Sequence, residues 1–356
     1  MIPVETLVEN ARWDRASDIH LVSGMAPRYR VDGFIREMGG MPLTAEQCDA
    51  CARELAGDDF GLAVQAGEAE LGRTIAGVRC RVSLFRQRGS WSAAIRLLCP
   101  QVPDLAELGL PKAAEEFSDY SHGLVLVTGE AGAGKSTTLA AILDRVNRNQ
   151  YKHILTLEDP VEYLITPDKC VVNQREVGRD TRSYAAGLEA ALRADPDVIL
   201  VGEMEDLETI ETALIAAETG HLVLSTVRTG SAAGAVDRIV DLFPAKRQPL
   251  IRLQLSATLK AVLSQRLLPK VGGGRVAACE VMKTDGAIRR LIREGKTSQL
   301  PAAIQTPGAT GSILMDRSLQ ALFSAGTISR ETYESALSAS GKASQAGQAR
   351  VVGMPR

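Results

Sequence analysis

The clearest chemical signature in the chain is a glycine-rich segment that fits the phosphate-binding pattern G-x-x-x-x-G-K-[ST]. The segment consists of Gly129, Glu130, Ala131, Gly132, Ala133, Gly134, Lys135 and Ser136, and Thr137 follows it. Glycines let backbone N–H groups turn inward around phosphate oxygens, and a helix N-terminus adds favourable partial charge. We expect Lys135 to contact the β- and γ-phosphates of a nucleotide, and the Ser136 hydroxyl to ligate Mg²⁺. A chance glycine-rich turn is the alternative, but a buried strand precedes the segment and a helix follows it.

Acidic residues follow two other strands of the same region. The run DVILVG is followed directly by Glu203, and ligands bind at the carboxyl edge of an open α/β sheet. Glu203 is therefore a Walker B candidate that would support Mg²⁺ through water. The run HILTL is followed by Glu158, Asp159 and Glu162, which are candidate general bases. The residues alone do not choose among these three, and solvated surface acids are the alternative for all of them.

A fourth strand, HLVLST, begins at His221 and ends at Thr226, and Arg228 lies two residues beyond it. A lone histidine is more often structural than catalytic. His221 is thus a weak catalytic candidate from the residues alone.

Strands and helices alternate through the middle of the chain, which predicts a parallel sheet covered on both faces. The predicted strands are 123–129, 153–157, 197–203 and 221–226, and the predicted helices are 135–147, 181–193 and 207–218. After Phe243 and Pro244 the pattern favours helix, interrupted by three glycines at 272–274.

The first hundred residues predict an α+β unit. Its expected strands are 19–22, 27–31, 34–35, 79–85 and 91–98, with a hairpin signal at Asp32 and Gly33 and a helix from Thr44 to Leu55. Three prolines mark 99–112 as a linker. We therefore predict an α/β protein with domains at 1–98 and 113–340, followed by a disordered tail at 341–356.

Composition excludes several classes of protein. The chain has 356 residues, 41 basic and 43 acidic side chains, a net charge of -2 and 4% aromatic residues, which argues against a nucleic-acid binder. It contains no apolar run of the ~18–20 residues that span a membrane and no signal-like N-terminus, so we expect a cytoplasmic protein. Cys48 and Cys51 form a lone C-x-x-C pair, which we interpret as helix neighbours rather than a metal site.

These segments together resemble the secretion and type IV pilus ATPases, and within that family the retraction ATPases of twitching motility. LVLVTGEAGAGKSTTLAAILD is similar to the Walker A region, HILTLEDPVEYL to the "Asp box", and DPDVILVGEMEDLETIETALIAAETGHLVLST to Walker B and the start of the "His box". NQREV, DRIVDLFP and GGGRVAA also match, and the resemblance runs from about residue 5 to about residue 335. It implies an N-terminal PAS-like domain, a RecA-like ATPase domain, and a ring-shaped hexamer with ATP at subunit interfaces.

The resemblance also implies roles for particular residues. The water-activating glutamate of the Asp box corresponds to Glu162, the Walker B glutamate to Glu203, and the first His-box histidine to His221. Arginines of the N-terminal domain that reach the nucleotide correspond to Arg81 and Arg96. Such arginines stabilise charge on the transferring phosphoryl group, although surface arginines on ordinary strands are the alternative.

One departure concerns the second half of the His box. The family usually reads T-L-H-T, whereas this chain has Thr-Val-Arg-Thr with Arg228 at the histidine position. Arginine does not deprotonate near pH 7, but it can contact a phosphate as a fixed cation. A second segment, AIRRLIRE at 287–294, resembles a motif tied to retraction and predicts an amphipathic helix.

The prediction that follows is a cytoplasmic hexameric ATPase that drives type IV pilus retraction at the base of the pilus on the inner membrane. Its expected cofactors are ATP and Mg²⁺, and its expected partners are its own copies, an inner-membrane platform protein and a paralogous retraction ATPase. Three alternatives stay open: a regulatory nucleotide-binding paralogue with weak hydrolysis, a pilus-assembly or type II secretion ATPase, and a nucleic-acid motor with a RecA-like core.

Overall fold

The computed structural model describes residues 3–31, 34–98, 101–305 and 311–349. By its internal contacts the chain forms two compact units. The first comprises Met1–Val102 and Pro160–Leu164, and the second comprises Pro103–Asp159 and Ile165–Arg356. The division falls inside the predicted linker, whose Leu105 is buried in the second unit. The predicted turn at Asp32 and Gly33 lies outside the described residues.

The first unit is built on an antiparallel sheet of six strands within its described residues. The strands are β1 (Asp18–Leu21), β2 (Arg28–Val31), β3 (Phe34–Glu37), β4 (Glu68–Ile75), β5 (Val78–Gln87) and β6 (Ser90–Leu97), in the order β3-β2-β1-β6-β5-β4. Helices α1 (Val4–Trp13), α2 (Ala45–Ala56) and α3 (Phe60–Ala66) belong to the same unit. The expected strands are confirmed, whereas α1, α3 and β4 were not predicted.

Helix α2 begins where its sequence predicts. The Thr44 hydroxyl accepts from the backbone N–H of Gln47, and the Gln47 side chain accepts from the backbone N–H of Thr44, which makes a capping box. Cys48 and Cys51 lie on the buried face of this helix. The interpretation of this pair as helix neighbours is therefore confirmed.

The second unit is built on a sheet of seven strands in the part of the chain described. They are β7 (Gly123–Thr128), β8 (His153–Glu158), β9 (Val171–Glu176), β10 (Val198–Val201), β11 (Leu222–Val227), β12 (Leu259–Pro269) and β13 (Arg275–Lys283). The order is β13-β12-β7-β11-β10-β8-β9, and all neighbours are parallel except the antiparallel pair β12–β13. The predicted parallel sheet is confirmed.

Helices connect and cover these strands. They are α4 (Lys135–Asn149), α5 (Tyr184–Ala191), α6 (Leu207–Glu218), α7 (Ala232–Asp241), α8 (Gln248–Thr258), α9 (Gly286–Arg293), α10 (Leu300–Ile304), α11 (Met315–Ser324) and α12 (Arg330–Ala349). The four strand segments β7, β8, β10 and β11 are buried almost throughout, because helices pack against the sheet. In α9, Ile288, Leu291 and Ile292 are buried, so the predicted amphipathic helix is confirmed.

The prediction of mostly helical structure after residue 244 is wrong for two long strands. β12 and β13 form a hairpin whose turn contains Gly272, Gly273 and Gly274, all at positive φ. Lys260, Gln265 and Arg266 interrupt the apolar pattern of β12. The strand forms nevertheless, because it pairs with β7 on one side and β13 on the other.

One further strand and the ends of two helices also differ from the predictions. β9, at the sheet edge, was not predicted. The helix expected at 181–193 spans only Tyr184–Ala191, because Ser183 caps its first turn. Helix α12 continues to Ala349, into the segment expected to be a disordered tail. Alanine is abundant in that segment, and alanine favours helix even where composition is otherwise polar.

None of the helices in the described residues is both long and apolar enough to cross a membrane.

We predict that the thiols of Cys48 and Cys51 are unreactive in the folded protein. Both are buried, and burial raises the pKa of Cys51 to about 11. Because the thiolate is the reactive form, alkylation at pH 8 should be about a hundredfold slower than in the unfolded chain. Differential alkylation read by peptide mass spectrometry measures this. Rapid labelling of Cys48 and Cys51 in the native protein would contradict it. So would one equivalent of bound zinc that is absent from a variant lacking both cysteines.

Candidate nucleotide-binding site

The phosphate-binding loop lies between the carboxyl end of β7 and the first turn of α4. Gly129 and Gly134 have φ of 153° and 88°, and a Cβ on Gly129 would come within 2.5 Å of the Gln265 carbonyl oxygen. Only glycine fits there. The Lys135 Nζ donates hydrogen bonds of 3.0 Å to the carbonyl oxygens of Gly129 and Glu130. The ammonium group therefore lies against the loop where a nucleotide phosphate is expected to bind.

A residue that sequence reasoning missed holds this loop from behind. The Nε2 of Gln265 on β12 donates to the Ala133 carbonyl oxygen at 2.6 Å, and its Oε1 accepts from the Thr138 hydroxyl at 2.9 Å. Gln265 is almost fully buried, so these bonds are shielded from water. It ties the loop and helix α4 to the sheet. A glutamine inside an apolar strand was the available signal, but the segment was assigned to helix.

Glu203 follows β10 and is held in place by the neighbouring strand β11. The Thr226 hydroxyl donates to the Gly202 carbonyl oxygen at 2.7 Å, and the Met204 N–H donates to the Thr226 carbonyl oxygen at 3.1 Å. The backbone on both sides of Glu203 is thus fixed to β11. This confirms that Glu203 lies at the carboxyl edge of the sheet.

Arg228 forms an ion pair with this carboxylate and donates a hydrogen bond to one of its oxygens. Its Nε lies 2.6 Å from Oε1 of Glu203, and its Nη2 donates to Oε2 at 2.7 Å. Glu205 stands near by, with an oxygen 3.6 Å from the same Nε. The hydrogen bond with Glu203 raises the pKa of Arg228, so it is a permanent cation. A hydrogen bond to Glu203, followed by burial and the charge of Glu203, raises the pKa of Glu205.

The surroundings of this pair are strongly acidic. Burial, and then the charges of Asp159, Glu203, Glu158 and Glu205, raise the pKa of Tyr184. Carboxylates from the ends of two strands therefore lie near one partly buried phenol. Glu158, the last residue of β8, accepts a hydrogen bond of 2.6 Å from the hydroxyl of Thr156.

Glu162 belongs to the first unit rather than the second. In that unit, the Nε of Arg79 donates to the carbonyl oxygen of Val161 at 2.8 Å, so a strand of the antiparallel sheet holds the residue next to Glu162. Sequence reasoning did not single out Arg79. Arg81 and Arg96 are direct cross-strand partners on β5 and β6.

Both of these arginines have acidic partners in the first unit. The Nε of Arg81 donates to Glu70 at 3.1 Å, and the Nε of Arg96 donates to Asp18 at 2.9 Å. The Arg96 side chain is 63% exposed. Contact of either arginine with a nucleotide stays a prediction.

His221 lies at the opposite edge of the sheet from this group. It precedes Leu222, which pairs with Gly123 at the amino end of β7, whereas Val227 pairs with Thr128 beside the loop. At about 3.3 Å per residue, His221 is about 20 Å from the carboxyl end of its own strand. Its Nδ1 lies 3.0 Å from the Ala216 carbonyl oxygen near the end of α6. The structure therefore does not bring His221 to the phosphate-binding loop of the same chain, and His221 contacts the end of a helix instead.

The oxygen donors at this edge suit Mg²⁺. Ser136 is exposed at the start of α4 and would contribute its hydroxyl, and Glu203 would contribute a carboxylate. Among the described residues, no group of three His, Cys, Asp or Glu side chains is arranged to hold a metal ion. Mg²⁺ here would therefore take its other ligands from phosphate and water, which is its usual habit.

Comparison with protein families agrees with this geometry. Residues 2–298 match the family described as Type II/IV secretion system protein. The chain belongs to that family. It therefore has the mixed α/β fold of the secretion ATPases and is an ATP hydrolase.

Three similar proteins place the chain within the Type II/IV secretion system family. It is 48% identical over 321 residues to the "Type IV pilus retractation ATPase PilT" of Pseudomonas aeruginosa, covering 89% of this chain and 92% of that protein. It is 42% identical over 326 residues to the "Twitching motility protein" of Neisseria gonorrhoeae, covering 89% and 87%. The solved structure described as "Crystal Structure of the Pilus Retraction Motor PilT and Bound ADP" superposes with a TM-score of 0.87 at 42% identity, covering 94% of this chain and 97% of that one.

We predict that Gln265→Leu weakens nucleotide binding more than its loss of stability explains. The variant leaves a buried carbonyl and a buried hydroxyl without their partner, which costs about 2 kcal/mol of unfolding free energy. The loosened loop should raise the Kd for ADP about tenfold.

Gln248→Leu is the matched control, because Gln248 also donates to a backbone carbonyl, that of Phe243. It should lower the unfolding free energy without changing the Kd. Calorimetric titration at a temperature where both variants are folded measures the Kd. Equal affinity of Gln265→Leu and wild type for ADP would contradict the role of Gln265.

Proposed function

We propose that this chain is the hexameric motor that retracts type IV pili in twitching motility, powered by ATP hydrolysis. The observation that carries the proposal is the near-full-length similarity to a pilus retraction ATPase, together with a phosphate-binding loop whose glycines, lysine and serine are all present. A protein named for twitching motility in a second organism supports the same reading.

Each residue of the site has its own role in this proposal. Lys135 and the N-terminus of α4 bind the phosphates, and Ser136 with Glu203 holds Mg²⁺, which neutralises phosphate charge when bound. Glu162 orients and activates the attacking water. Arg81 and Arg96 add positive charge near the nucleotide. The bond of Arg79 to the neighbouring Val161 carbonyl supports the role of Glu162, because a general base needs a fixed backbone.

The proposed assembly is a ring of six copies with ATP at the subunit interfaces. The first unit would be the PAS-like domain, which its antiparallel sheet supports, and the second the RecA-like domain, which its parallel sheet supports. The motor would act in the cytoplasm at the base of the pilus and transmit force to an inner-membrane platform protein. A paralogous retraction ATPase would be a further partner.

A regulatory nucleotide-binding paralogue with weak hydrolysis is the second candidate. Its specific support is the ion pair between Arg228 and Glu203, because a carboxylate held by arginine is less available to Mg²⁺. A pilus-assembly or type II secretion ATPase is a nearer alternative, which differs in the direction of work and not in the chemistry of the site.

Steady-state phosphate release tests the hydrolytic part of the proposal. Lys135→Ala should lower the rate at least about a hundredfold, because it removes a cation from the transferring phosphate. Lys246→Ala, which changes an exposed lysine on the same unit, should leave the rate unchanged. Wild type that binds ATP without turnover dependent on Lys135 would instead support the regulatory paralogue. Stimulation of the rate by DNA would support the nucleic-acid motor.

In the same assay, Glu162→Gln should lower kcat about a hundredfold or more, while the Kd for ADP changes less than about threefold. A general base acts on the water and not on nucleotide binding, so the two quantities separate. A parallel loss of binding and rate would contradict the assignment of Glu162.

A further inference from the structure

Arg228 forms an ion pair with Glu203, the acid that the proposed function assigns to Mg²⁺. The Nε and Nη2 nitrogens of Arg228 face both carboxylate oxygens, at 2.6 and 2.7 Å. The Glu203 side chain is 18% exposed, whereas that of Arg228 is 63% exposed. The guanidinium therefore covers the carboxylate from the solvent side.

The backbone around this pair is fixed, so the pairing does not depend on two mobile loops meeting by chance. Beyond the bonds from Thr226 to the backbone beside Glu203, Thr128 at the end of β7 hydrogen-bonds with Thr229, with a hydroxyl separation of 2.8 Å. The loop that carries Arg228 is thus tied to the strand that carries the phosphate-binding loop. Glu203 and Arg228 are presented to each other by adjacent parallel strands.

Arg228 and a metal ion compete for the same atoms. The guanidinium covers the solvent side of the carboxylate, and it therefore occupies the space through which the water shell of Mg²⁺ would reach Glu203. The arginine can leave the carboxylate, because its own side chain is 63% exposed and water can replace its contacts. Its departure uncovers Glu203 beside Glu205, and that concentration of negative charge favours a divalent cation.

We propose that Arg228 is a positioning residue that locks the Walker B carboxylate Glu203 in an ion pair and is displaced when Mg²⁺–nucleotide binds. The inference rests on the proposed function for the role of Glu203. Its consequence is that Mg²⁺ adds less to nucleotide affinity in this chain than it would with Glu203 unpaired. Displacement also releases a fixed cation at the sheet edge where the phosphate-binding loop lies.

The test measures the contribution of Mg²⁺ to binding rather than the rate of hydrolysis. The Kd of a fluorescent ADP analogue is determined with Mg²⁺ and with EDTA, and the ratio of the two values is compared among variants. Arg228→Gln should raise this ratio about fivefold over wild type, because the lock is gone. Arg228→Lys, which keeps the charge but makes a single contact, should give an intermediate ratio.

Two controls separate the lock from a general structural effect. Arg247→Gln breaks another two-nitrogen arginine–glutamate pair, with Glu211, outside the site, and should leave the ratio at the wild-type value. Glu203→Gln should lower the ratio towards one, and adding Arg228→Gln to it should change nothing further. Thermal unfolding of each variant checks that it is folded at the temperature of the titration.

The outcomes distinguish this inference from the proposed function. An unchanged ratio in folded Arg228→Gln overturns the lock, even if phosphate release depends on Lys135. A raised ratio supports the lock, even if wild type shows no such turnover and the motor function fails. The lock would also be overturned if Arg228→Gln raised the ratio as much in the Glu203→Gln background as it does in wild type. The effect of Arg228 would then not pass through Glu203.

Discussion

The site depends on the register of four parallel strands. β7, β11, β10 and β8 are adjacent and run in the same direction, with Val227 beside Thr128 and Val201 beside Leu157. The residues that follow them therefore emerge at one edge of the sheet. A shift of one residue would turn each buried side chain to the other face, so the buried Val, Ile and Leu side chains of these strands fix the position of the chemistry.

Much of this arrangement follows from the sequence alone. A glycine-rich loop between an apolar strand and a helix has few alternatives, and Glu203 at the end of an apolar run must lie at the same edge once the sheet is parallel. The same reasoning places His221 at the amino edge of the sheet. The phosphate-binding loop of the same chain lies at the carboxyl edge. The start of a parallel strand lies a full strand length from its end.

What the sequence could not supply are contacts between residues far apart in the chain. Gln265 reaches the phosphate-binding loop across 132 positions, and Arg79 reaches the carbonyl beside Glu162 across 82. β12 itself depends on its two neighbours, because its own pattern of polar residues does not favour a strand. Arg228 was recognised as a departure, but that it pairs with Glu203 is a fact of tertiary structure.

The two long-range contacts at the loop and at Glu203 differ in kind. Gln265 is buried and makes neutral hydrogen bonds, so it fixes a geometry that is needed whether or not nucleotide is bound. Arg228 is exposed and charged, so water can replace its hydrogen bond to the carboxylate. A rigid support beneath the loop and an exchangeable cation above the carboxylate give a site that is shaped in advance and still responds to its ligand.

The central claim, that ATP hydrolysis by this chain retracts pili, is tested most directly in cells. The measurement is the number of surface pili and the width of the twitching zone after deletion of the gene, with wild type or Lys135→Ala restored. The account predicts more surface pili and lost twitching in the deletion strain, corrected by wild type and not by Lys135→Ala. Unchanged pili and normal twitching after deletion, or full correction by Lys135→Ala, would contradict it.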